Sequence, residues 1–167
     1  MNRKRFITAA FLAWIIFIAI DFIFHGSILN SLWGQQVESI KPLQDLTRLI
    51  PAGYISFLLL VILSTYVFTR IFPSRPTMRK MFTFAVIFGL LFALSYLLGL
   101  YSFVNIPLKH LIAFSLVYLI ELIAVFVVFH WLYYAIRIKI RALIIGGIFL
   151  LLVIIGIIVQ NTTEFSF

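Results

Sequence analysis

The sequence predicts an all-α integral membrane protein, a single bundle of five transmembrane helices with the amino terminus cytoplasmic and the carboxyl terminus outside. Three observations carry this prediction. The 167 residues are 64% hydrophobic and only 11% charged, with 19 Phe and a mean hydropathy of +1.19, far from the roughly half-apolar, quarter-charged mix of soluble domains. The apolar residues fall into five runs, 6–29, 51–72, 81–101, 110–135 and 142–159, each close to the about 20 residues that a helix needs to cross the hydrocarbon core. The basic residues punctuate these runs instead of interrupting them. A barrel is excluded, because the runs lack the alternating polarity of a barrel strand and are too long to be one.

The first run follows Asn2-Arg3-Lys4-Arg5 as a secretory signal would. It exceeds the roughly 7–15 apolar residues of a signal, holds Asp21 and His25, and is followed by no small-x-small cleavage site, so an uncleaved anchor is expected. The only sizeable polar segment comes next, at 30–49. Within it Glu38, Lys41, Asp45 and Arg48 recur three or four apart, as do Trp33, Val37, Ile40 and Leu43. That is the spacing of a short amphipathic helix on the membrane surface, interrupted near Pro42. The second run opens on Pro51, at home in a first helical turn, and ends before Pro73 and Pro76.

The third run carries two small-xxx-small pairs, Gly89 with Ala93 and Ser95 with Gly99. Such pairs let helices approach closely, which makes this span the expected centre of the bundle. The fourth run holds His110, Glu121 and His130. No Gly or Pro separates it from the fifth, yet a break within 136–141 is required, because the two runs as one helix would reach about 75 Å, more than twice the bilayer. The basic residues there are expected to snorkel into headgroups. The fifth run is lightened by Gly146, Gly147 and Gly156 and has no ionisable residue between Arg141 and Glu164. It is expected at the lipid edge or against another subunit.

Orientation follows from charge. With the amino terminus inside, the cytoplasmic ends hold Arg3, Lys4, Arg5, Arg70, Arg75, Arg79, Lys80, Arg137, Lys139 and Arg141, ten of the 13 basic residues, against Lys41, Arg48 and Lys109 outside. The positive-inside rule favours that arrangement. The formal charge of +8 is thereby assigned to membrane placement, and nucleic acid is not an expected partner. With no cysteine in the chain, disulfides, thiolate metal sites and cysteine nucleophiles are excluded.

Ionisable groups inside spans face the bundle and mark pathways or sites. Four are present: Asp21, His25, Glu121 and His130. Asp21 and His25 are one helical turn apart and share a face. His110 and Glu121 lie on one stripe of the fourth span, eleven residues being close to three turns, with Tyr118 beside Glu121, whereas His130 points the other way. Asp21 and Glu121 meet if the first and fourth helices are neighbours. Two readings stand. In one, Asp21, His25, Glu121 and Tyr118 form an intramembrane site for protons or a cationic or hydrogen-bonding ligand. In the other, each group is a structural latch: Asp21 accepts from His25, and a neutral Glu121 donates across helices for roughly 0.6–2 kcal/mol. A haem held by His25 and His110 is a weaker option, resting only on comparable depth. No metal site is expected, and with no His-Glu-x-x-His, no Gly-x-Ser-x-Gly and no evident cluster of paired carboxylates with a histidine, neither is an enzyme.

The string Asp21-Phe22-Ile23-Phe24-His25-Gly26, the Tyr101-Ser102 and Ile106-Pro107 that follow the third span, and the stretch from Tyr118 to Glu121 resemble a group of small bacterial multi-span membrane proteins with Asp-Phe-x-x-His-Gly in the first span. The resemblance covers roughly four spans and implies a bacterial cytoplasmic (inner) membrane, with no activity attached. Two functions are expected on these grounds. The first is a non-catalytic small subunit or accessory protein of a larger membrane complex, packing through its apolar and small-residue faces against other subunits or copies of itself. The alternative is a small transporter or ligand- or proton-binding membrane protein that uses Asp21, His25 and Glu121.

Overall fold

In lipid every backbone N–H and C=O must be satisfied within the chain, and these apolar runs do so as helices. The structure, a computed structural model, describes residues 2–29, 32 and 43–164. Among them there is no strand, and five helices are long and apolar enough to cross a membrane. Helix α1 is Arg3–Ile23, continued by a wider π-helical turn at Phe24–Ile28; α2 is Leu43–Ile71, α3 Met78–Phe103, α4 Leu108–Tyr133 and α5 Ile138–Glu164. The candidate spans, Arg3–Ile28, Arg48–Ile71, Met78–Phe103, Leu108–Tyr133 and Ile138–Thr162, agree with the sequence-predicted runs to within a few residues.

The helix ends follow from local chemistry. Asn2 Oδ1 accepts the Arg5 N–H at 3.1 Å and starts α1; Thr77 Oγ1 accepts the Lys80 N–H at 3.4 Å and starts α3. Side-chain acceptors of this kind satisfy donors that a first turn leaves open. Pro73 disfavours helical geometry at Phe72 and ends α2. Pro51 is not where the sequence places it: α2 begins at Leu43, so the proline lies inside the helix. It leaves the Thr47 carbonyl without its usual donor, a loss tolerable near the end of a span. Of the expected amphipathic helix, Trp33, Val37, Glu38, Ile40, Lys41 and Pro42 lie outside the described residues, while Leu43, Asp45 and Arg48 belong to α2.

The required break between α4 and α5 falls at 134–137, just ahead of most of the expected stretch. Its stop signal comes from side chains, in place of Gly or Pro. The Arg141 guanidinium donates to the Trp131 carbonyl at 2.5 Å, one of the orphan acceptors at the end of α4, and lies over the Trp131 ring at 4.9 Å. Arg141 is therefore a cap for the end of α4. Tyr134 donates to the Phe72 carbonyl at 2.6 Å and ties this turn to the end of α2.

Helices α1 and α4 pack together at the centre, with α3 against α4, α5 against α1, and α2 on α1 and α4. Half of the α4 span is buried (50%) and 39% of α1, against 22% for α3 and 11% for α5. The expectation of a central third span is thus corrected. Its stripe Met81, Ala85, Gly89 and Ala93 is buried, but one stripe serves one neighbour, and Phe82, Ile87, Leu91, Leu94 and Leu98 remain exposed. Centrality comes from α1, whose Ala9, Ala13 and Ala19 are fully enclosed and whose small side chains admit close neighbours. The basic ends of α1, of the α2–α3 connection and of the α4–α5 connection share one end of the bundle. Phe6, Phe68, Phe84, Phe126 and Phe129 form an aromatic cluster there, with ring centroids 5.1–6.1 Å apart.

Candidate functional site

Asp21 stands in the last turn of α1, where the helix widens. The Phe24 N–H is shared by the carbonyls of Asp21 and Ile20, and the Leu29 N–H reaches back five residues to the Phe24 carbonyl at 2.7 Å. Turns of this type concentrate at functional positions. His25, inside the turn, brings Nε2 to 3.7 Å from Asp21 Oδ1, so the pair meets as its spacing predicts. Helix α5 clamps the turn in place. The buried Ser27 donates through Oγ to the Gly156 carbonyl at 2.8 Å, and a Cβ at Gly156 would lie 2.7 Å from the Phe22 ring.

Glu121 reaches the same point from the middle of α4. It is 0% exposed, and among the described residues neither carboxylate oxygen has a hydrogen-bond partner. One donor atom each from Asp21, His25 and Glu121 lie within 4.8 Å of one another. The structure therefore assembles a histidine with two carboxylates, a cluster that no contiguous sequence pattern displays. Glu121 is not engaged as a latch. Tyr118, one turn before it, sets its ring 4.8 Å from that of Tyr96 of α3 and packs against Phe17 and Phe57. It walls the centre.

The other histidines are structural in their contacts. His110 is 1% exposed, and its Nε2–H donates to the Leu32 carbonyl at 3.1 Å, which ties Leu32 to α4. His130 Nε2–H donates to the Pro76 carbonyl at 3.1 Å and pins the α2–α3 connection to the other end of α4. For haem this geometry is unfavourable. His110 has committed Nε2 to a backbone carbonyl, His25 Nε2 faces Asp21, and the Phe114 ring packs against both imidazoles, at 5.4 and 6.2 Å.

The small-residue motifs divide. At Gly89 a Cβ would lie 2.8 Å from Leu119 Cδ1, and at Gly156 it would strike Phe22, whereas at Gly99, Gly146 and Gly147 it would meet nothing within 4 Å. Ala93 is buried, but Ser95 is exposed, so the Ser95–Gly99 pair makes no close approach among the described residues. Sequence reasoning singled out Gly156 for close packing but missed Ser27 and Tyr96 as supports of the centre. A small hydroxyl two residues after His25 is their only local signal.

No protein-family model matches this chain, and comparisons with curated proteins and with solved structures likewise give no match. The site's chemistry therefore stands on its own geometry.

Proposed function

We propose that this chain is a small, non-catalytic transport or ligand-binding protein of the bacterial cytoplasmic membrane, and that a cation, in the simplest case a proton, occupies the Asp21–His25–Glu121 centre. One observation carries the reading. Glu121, on α4, is buried with neither oxygen partnered among the described residues, and the groups it faces are a second carboxylate and an imidazole. A buried carboxylate is retained at such expense when it is paired or functional. The excess of Arg and Lys at one end of the bundle supports an orientation with the amino terminus inside.

Flux into sealed vesicles containing the purified protein tests this. Asp21→Asn and Glu121→Gln, which keep shape and remove charge, are expected to abolish proton or cation flux while thermal melting stays near that of the native protein. Normal transport by both variants would contradict the assignment.

A second reading, a small subunit or accessory protein of a larger membrane complex, draws on α5. Its span is 11% buried, and Gly146 and Gly147 face open space, as if shaped for a close neighbour. Gentle extraction followed by native mass analysis is expected to find stoichiometric partners or a homo-oligomer. Recovery of a lone monomer would dismiss it.

A further inference from the structure

We propose that Asp21, His25 and Glu121 form a three-donor site for a first-row divalent cation of the Mn2+, Fe2+ or Zn2+ class. The proposal rests on the cation-binding reading above and narrows its ligand. Three independent features point the same way.

The first is geometry. Bonds of about 2.0–2.2 Å to a tetrahedral ion put its donors roughly 3.4 Å apart. His25 Nε2 and Asp21 Oδ1 are already 3.7 Å apart, and one donor atom each from Asp21, His25 and Glu121 lie within 4.8 Å of one another. The donors come from elements separated by almost a hundred residues, and the π turn that presents His25 is held from outside by the Ser27 bond to α5 at 2.8 Å. The second is the state of Glu121. A carboxyl group that served as a latch would show a partner, yet among the described residues neither of its buried oxygens has one, and it is aimed into the triangle.

The third is charge. All 13 basic residues lie at or beyond the ends of the apolar runs, the innermost in sequence being Arg48, Arg70, Lys80, Lys109 and Arg141. No Lys or Arg occurs between 6 and 29 or between 110 and 136, so the stretches of α1 and α4 that carry the carboxylates hold no lysine or arginine of their own. A divalent ion makes the centre neutral, with two carboxylates balancing two positive charges, which is the condition for stable burial in a medium of low dielectric. One imidazole with two carboxylates suits Mn2+, Fe2+ and Zn2+ better than Mg2+, and the absence of cysteine removes the soft donors that select Cu(I). Three protein donors leave at least one coordination position for water or a passing ligand. Asp21 and His25 keep 15% and 19% of their side-chain surface uncovered.

The test uses the full chain, purified without a polyhistidine tag and placed in lipid nanodiscs, with MnCl2 titrated and free Mn2+ read by electron paramagnetic resonance. Saturation at one ion per chain is expected, with displacement by Zn2+ and not by equimolar Mg2+. Glu121→Gln and His25→Gln are each expected to weaken binding at least ten-fold while eluting and melting as the native protein does. Co2+ substitution supplies a second readout, an absorption band in the visible that both variants lose. No saturable binding, or binding that both variants retain, overturns the proposal. If vesicles then still show Glu121-dependent proton flux, the metal assignment fails alone; if that flux is also absent, the cation-binding reading fails with it.

Discussion

At Gly156 a hydrogen atom in place of a methyl group decides how near α5 comes to α1. A Cβ there would lie 2.7 Å from the Phe22 ring, whereas the clash at Gly89 is with the flexible tip of Leu119, and at Gly99 and Gly147 there is nothing to meet. The four glycines therefore predict an order. Gly156→Ala lowers stability by about 1–3 kcal/mol, the usual range for overpacking, Gly89→Ala by less, and Gly99→Ala and Gly147→Ala raise it by up to about 1 kcal/mol through helix propensity. Melting of the four variants in one detergent checks this, and equal losses at all four positions would contradict it. At the centre, the i,i+4 meeting of Asp21 and His25 was legible from spacing alone, because one helical turn fixes it. The third member was not, because nothing local says which helix stands beside α1.

Among the elements, the α4–α5 turn is the least protected by its own sequence, lacking Gly and Pro, and leans on Arg141 and Tyr134. Arg141→Gln removes the donor to the Trp131 carbonyl and the charge over its ring. It is expected to speed amide hydrogen exchange in the last turn of α4 while leaving α2 and α3 unchanged; uniform exchange across the chain would argue against a local cap. Tyr134, just past the span, has its hydroxyl pushed up to about 12, by burial first and by neighbouring Tyr133 second. A raised value favours the protonated donor, so the bond to Phe72 contributes fully below the ordinary tyrosine range and is lost as pH rises through about 12. Tyr134→Phe is expected to lower stability by about 1 kcal/mol at neutral pH and to remove that alkaline loss, as melting against pH will show. The five helices were readable because length and hydropathy define a span whatever surrounds it. Exact ends were less so: Pro51 suits a first turn, and only the structure places it eight residues inside α2.

For the whole molecule, packing order was the part the sequence concealed. In water the apolar stripe of a helix marks its buried side, but lipid is as apolar as the core, and these helices are apolar nearly all round. Small residues then mislead. The pairs on α3 suggested a centre, while the helices that fill it are α1, with its alanines, and α4, with its intramembrane glutamate. Orientation is an expectation from charge, and the cysteine-free chain makes it easy to probe. Cysteines introduced singly at Ser74, on the basic end, and at Asn105, on the opposite end, are expected to react with a membrane-impermeant maleimide only after cell lysis and in intact cells, respectively. The reverse pattern would invert the topology. The central claim is that Glu121 is held for a ligand and not for the fold, and infrared difference spectroscopy of the protein in nanodiscs tests it most directly. On a pH jump or on addition of MnCl2, the account predicts a change in one carboxyl band that Glu121→Gln abolishes. A native spectrum that responds to neither, with Glu121 inert throughout, would contradict it.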